Sequence, residues 1–72
     1  MFKVAVQKSG FVQAAAIHNV CVDSLYEVEL MALELARRHF ETQNVMLVHV
    51  GGLIYEIYEV SEPIGIVKIK SE

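Results

Sequence analysis

Apolar and polar side chains alternate from the start of the chain. Phe2-Lys3-Val4-Ala5-Val6-Gln7 sets large apolar residues against small or polar ones with a period of two, the pattern of a strand with one buried face. Ser9-Gly10 reads as a tight turn, and a second strand is expected from about Phe11 to Val22. Its last part places Val20 and Val22 on one face and Asn19, Cys21 and Asp23 on the other. The parity that buries Ile17 does not bury Val20, so a bulge is expected near His18. The pattern then changes to a helical one. Ser24-Leu25-Tyr26-Glu27 has the spacing of a capping box, in which the Ser hydroxyl accepts from the Glu27 N–H. Glu27 and Glu29 at the start and Arg37 and Arg38 at the end suit the helix dipole. Glu34 and Arg38 stand four apart in the favourable order, and Asn44 can end the element, so a helix is predicted over 25–41.

The apolar residues of this helix cover a broad arc rather than a stripe. Val28, Leu35, Ala32, Leu25, Ala36, Phe40 and Leu33 define it, and Leu30 and Met31 fall beyond its edges. Leu30 sits among Glu27, Glu34, Arg37, Arg38 and Glu41. Either these outliers are partly exposed, as single apolar side chains often are, or they meet a second buried contact.

Residues 45–50 and 53–60 form the clearest hairpin signal, two strand-like runs flanking Gly51-Gly52. With a two-residue turn Val50 opposes Leu53. One face then carries Met46, Val48, Val50, Leu53, Tyr55 and Ile57 and is expected beneath the helix. The other carries Val45, Leu47, His49, Ile54, Glu56 and Tyr58. Pro63 and Gly65 interrupt the chain before a last strand, Ile66-Val67-Lys68-Ile69-Lys70, whose two lysines on one face read as edge protection. The order β-β-α-β-β-β predicts an α+β fold in one domain over 1–72: an antiparallel sheet of four to five strands with one helix packed across one face.

Length and composition narrow the function classes. A chain of 72 residues that is 54% hydrophobic buries barely enough apolar surface to offset its conformational entropy, which favours a staple or a partner. Cys21 is the only cysteine, so no disulfide within the chain is possible, and a reducing cytosol suits it. The longest uncharged stretches, 9–22 and 42–55, hold 14 residues each, short of the roughly 20 that a membrane helix needs. Ala14-Ala15-Ala16 has the look of a processing site, but Lys8, Ser9 and Gly10 leave no apolar run before it, so a mature, cytoplasmic N-terminus is expected.

No reactive constellation stands out. His18, His39, His49 and Cys21 lack the short paired spacing of a zinc site, nothing marks a base beside Cys21, and Glu56 and Glu59 fall on opposite faces of one strand. Gly51-Gly52 lacks the helix that follows a phosphate-cradling loop. No metal, no cofactor and no enzymatic activity are expected. The six basic residues come as three pairs, Lys3/Lys8, Arg37/Arg38 and Lys68/Lys70, while 43–62 hold three glutamates and no cation. Since phosphate affinity depends on cations, nucleic acid is expected to be at most a secondary partner.

What remains is surface for a protein partner. Leu47, His49, Ile54, Glu56 and Tyr58 combine apolar rows with one imidazole, one carboxylate and one phenol, the mixture of a binding face. Leu30, Met31, Arg37 and Arg38 on the helix form a possible second interface, and the alternative reading is a homodimer whose paired sheets or helices carry Lys68, Lys70, Arg37 and Arg38 onto nucleic acid.

The Met-led first strand, the Val20-x-Val22-Asp23-Ser24 approach to the helix, and Val50-Gly51-Gly52-Leu53 followed by an aromatic-rich strand resemble small phage-encoded proteins that block bacterial defence. One such group is a type I-F anti-CRISPR family of β-β-α-β-β-β order, which binds the CRISPR surveillance complex. Another is the T4-type phage antitoxin, which plugs a host RNase toxin. The likeness implies a non-catalytic inhibitor that acts by steric occlusion of a host defence complex or nuclease. The anti-CRISPR family meets its complex through basic residues whereas this hairpin is acidic, so no functional residue carries over.

Overall fold

The computed structural model describes residues 1–10 and 16–71. Along the chain these form β1 (Phe2–Lys8), β2 (Ala16–Val20), α1 (Leu25–Phe40), β3 (Val45–Gly51), β4 (Ile54–Glu59) and β5 (Glu62–Ser71). Every strand pairing is antiparallel, and the sheet runs β2-β1-β5-β4-β3, so the order is β-β-α-β-β-β and the fold α+β.

Alternation decides which side of the sheet the helix covers. Val4 and Val6 of β1, Val20 of β2, Val45 of β3, Tyr55 and Ile57 of β4, and Val67 and Ile69 of β5 point to one face, where Val28, Ala32, Leu35 and Ala36 of α1 close over them. Local chemistry sets the ends of the helix. The Ser24 hydroxyl accepts from the Glu27 N–H at 3.2 Å. At the other end Glu41 adopts the left-handed conformation (φ 55°, ψ 41°). The Thr42 N–H donates to the Arg37 carbonyl at 3.1 Å and the Glu41 N–H to the Arg38 carbonyl at 3.4 Å, a Schellman motif. The helix therefore stops at Glu41 rather than at Asn44, and Glu34 pairs with Arg37 (3.0 Å) rather than with Arg38.

Four other expectations are corrected. β2 pairs with β1 from Ala16 to Val20 without a register shift, so no bulge lies at His18. Ile17 resolves the parity conflict by facing outward, 62% exposed. The start of the predicted second strand at 11–15 lies outside the described residues. β5 is not interrupted at Pro63 and Gly65 but runs through both. Pro63 lies past the end of the β1 pairing, beside a register shift at Ile57/Tyr58, where its missing N–H breaks no regular two-sided ladder. Gly65 is required by close packing: a Cβ there would fall 2.5 Å from the Gln7 carbonyl oxygen and 2.7 Å from Phe40 Cζ. β5 is also the central strand, so Lys68 and Lys70 do not protect an edge. Finally, Cys21, expected within the second strand, follows the last residue of β2 and is exposed.

The β3–β4 hairpin carries a further correction, the most consequential. Gly51, not Val50, is the strand's last paired residue; it opposes Ile54, and a register shift separates His49 from Gly51. The two turn residues are accordingly Gly52 and Leu53, with Gly52 at φ 55°, where only glycine sits without strain. One extra residue in β3 reverses the faces of everything before it. Val45 is buried at 7% exposure, and Met46, predicted to lie beneath the helix, is 59% exposed.

Candidate functional site

Since α1 covers one side of the sheet, the other side is, among the described residues, an open face whose composition follows from the registers. Lys3 pairs with Asn19 and Lys70, and Ala5 with Ile17 and Lys68; Lys68 in turn pairs with Ile54. Gln7 pairs with Ile66, Ile66 with Glu56, and Glu56 with Val48. Tyr58 pairs with Met46 and Pro63. Read along the strands, the face is basic at one end through Lys3, Lys68 and Lys70. It is apolar across Ile17, Ile54, Ile66 and Val48, and it carries Glu56 and Tyr58 towards the other end.

The predicted binding face is thereby divided. Ile54, Glu56 and Tyr58 of β4 do lie together on the open face, as their alternation requires. Leu47 and His49 lie on the helix side instead, because they pair with Ile57 and Tyr55. Leu47 packs against the core. His49 lies against the Tyr55 ring with centroids 5.2 Å apart, and its Nε2 donates to the Gly52 carbonyl at 2.6 Å, which ties it to the turn. Met46 and Val48 take their places on the open face. The basic pairs divide as well: Lys68 and Lys70 converge with Lys3 on the open face, while Arg37 and Arg38 stand on the helix beyond the opposite face.

On the helix side, a cleft of about 410 Å³ opens between α1 and the edge strand β3. Tyr26, Leu30 and Leu33 form its helix wall, Val45, Met46 and Leu47 its strand wall. Within it the Tyr55 hydroxyl donates to the Glu29 carboxylate. Burial, the hydrogen bond and the carboxylate's charge, in that order, push the Tyr55 phenol from 10.0 up to about 12. A phenol held so firmly protonated at neutral pH is a fixed donor rather than a proton-transfer group, so the pair anchors the helix to the sheet. Leu30 lines this cleft; Met31, 100° further round the helix, does not, and both are exposed. A second depression of about 280 Å³, on the other shoulder of α1, is lined by Ala16, His18, Leu35, Arg38 and His39. Among the described residues no three of His, Cys, Asp and Glu come together in a way that would hold a metal ion, and no helix is long and apolar enough to cross a membrane.

No protein-family model, no curated protein and no solved structure matches this chain.

Sequence reasoning missed Met46 and Val48 as surface residues. The signal was the excess of glycine after His49: a strand that ends on two glycines can spend one of them on a bulge as readily as on the turn.

Proposed function

We propose that this chain is a small non-catalytic binding protein that acts by occlusion, with the open sheet face as its contact surface. A single observation carries this reading: Met46, Val48, Ile54 and Ile66 are exposed together on one uncovered face around Glu56 and Tyr58. Apolar area framing a few polar groups, with a tyrosine at its margin, is the make-up of a protein interface. The partner fitted to it is a protein surface with an apolar centre, a cation to meet Glu56 and an acidic end to meet Lys3, Lys68 and Lys70. The likeness to phage-encoded inhibitors makes a host defence complex or nuclease the first partner to try. Charge reversal at Glu56 with truncation of Tyr58 (Glu56→Lys, Tyr58→Ala) abolishes partner binding without unfolding the domain; undiminished binding rejects this face.

The convergence of three lysines favours a second reading, in which the same face holds the phosphate backbone of a nucleic acid. Three phosphate contacts give a slope of log K against log salt of about −2 on a single strand. Salt-independent binding, or none, eliminates it.

A further inference from the structure

The two edges of the sheet are unlike. β2 is five residues long and presents His18 and Asn19. β3 runs Val-Met-Leu-Val-His-Val-Gly and has no charged residue. Edge strands are usually guarded against pairing with another chain by lysines, by proline or by a covering segment. In this sheet the lysines stand on the inner strands β1 and β5 and the proline at the start of β5, and among the described residues β3 has a partner, β4, on one side alone.

We propose that β3 pairs antiparallel with β3 of a second copy, across a twofold axis perpendicular to the sheet at Leu47. A second copy is the occupant for three reasons. First, the regular part of the strand, from Val45 to the bulge after His49, is self-complementary about Leu47: Met46 opposes Val48 of the other copy, and Val45 opposes its His49. No like charges meet, and the even register keeps open face beside open face and helix side beside helix side. Second, the pairing continues onto apolar surface that is otherwise wet. The cleft beside β3 leaves Tyr26 69% and Leu30 49% exposed, on the shoulder of α1 that faces the new strands. Third, the area sets the extent of the joint. A stable interface takes about 800 Å² from each partner, about a sixth of this chain's 4819 Å², so the joint covers the seven-residue edge and the exposed cleft wall together.

The product is a continuous ten-stranded sheet, twice the five of one copy, with both helices on one side and two open faces side by side on the other. The inference is independent of what the open face binds, and its failure is distinguishable from failure of that reading.

The test is the solution mass of the full chain by sedimentation equilibrium at micromolar to hundred-micromolar concentration. The expected mass is twice the monomer's 8.1 kDa. Met46→Lys with Val48→Lys, folded by circular dichroism, drops to the monomer mass, because four lysines then line the joint. Ile66→Lys, on the open face two strands away, stays dimeric. A second measurement guards against misfolding of the double variant: Leu47→Cys in a Cys21→Ser background gives a covalent dimer on mild oxidation by a diazene oxidant, and Ile66→Cys in the same background does not. A monomeric wild type, a dimer that survives both lysines, or dissociation by Ile66→Lys overturns the proposal. Glu56→Lys with Tyr58→Ala loses the foreign partner but keeps the dimer mass, which separates the two claims.

Discussion

Tyr55 offers the sharpest quantitative test of the helix–sheet junction. Tyr55→Phe keeps the buried ring and deletes the hydroxyl that donates to Glu29. A hydrogen bond to a charged group contributes about 1.5–3 kcal/mol when buried. Glu29 is half-buried and faces an open cleft, where water replaces part of what is lost, so the expected cost at neutral pH is about 1–2 kcal/mol. At this chain length that lowers Tm by roughly 5–12 °C. The pH dependence follows from the same contact. The folded state raises the phenol from 10.0 to about 12 and so holds the proton more tightly than the unfolded chain. The stabilisation is complete below pH 10 and is lost as pH climbs through 12. Two pH units correspond to roughly 3 kcal/mol as an upper figure. Urea unfolding of wild type and Tyr55→Phe across this range isolates the effect, since every other group is common to both proteins and cancels in the difference. The two stability curves are expected to converge between pH 10 and about 12. Curves that stay parallel refute the assignment of the Tyr55–Glu29 contact.

Three further outcomes test the packing. Gly65→Ala drives a methyl against the Gln7 carbonyl and the Phe40 ring, and costs about 1–3 kcal/mol, read by urea or thermal unfolding. Val60, an exposed β-branched residue held at φ 60° in the β4–β5 turn, is strained, so Val60→Gly stabilises by about 1 kcal/mol in the same assay. The register of β3 gives a paired test: Val45→Lys buries a charge and unfolds the domain, whereas Met46→Lys leaves the circular dichroism spectrum unchanged; the reverse ranking would restore the register of an unbulged hairpin.

The parts of the fold that were legible in the sequence are those fixed locally. Ser24 and Glu27 mark the start of α1 to the residue, because a capping contact needs only three residues of chain. The faces of β4 follow from its own alternation: Tyr55 and Ile57 go in, Ile54, Glu56 and Tyr58 go out. What failed depends on the partner strand. Whether Gly51 belongs to the turn or to a bulge is decided by whether Val45 and Leu47 or Met46 and Val48 fit beneath the helix, a tertiary question that the two glycines leave open in the local sequence. The same holds for Lys68 and Lys70, whose spacing on one face is identical in an edge strand and in a central strand over an open face. Of the candidate site, Ile54, Glu56 and Tyr58 were visible, while Leu47 and His49 were exchanged for Met46 and Val48 by a single inserted residue.

The central claim is that an uncovered sheet face binds a protein partner. Its most direct test is affinity capture from a nuclease-treated bacterial host lysate with the tagged wild type and the Glu56→Lys, Tyr58→Ala variant side by side, followed by mass spectrometry and the mass of the eluted complex. The account predicts one stoichiometric protein that the wild type retains and the variant loses. Equal recovery by both proteins, or recovery of the chain by itself, contradicts it.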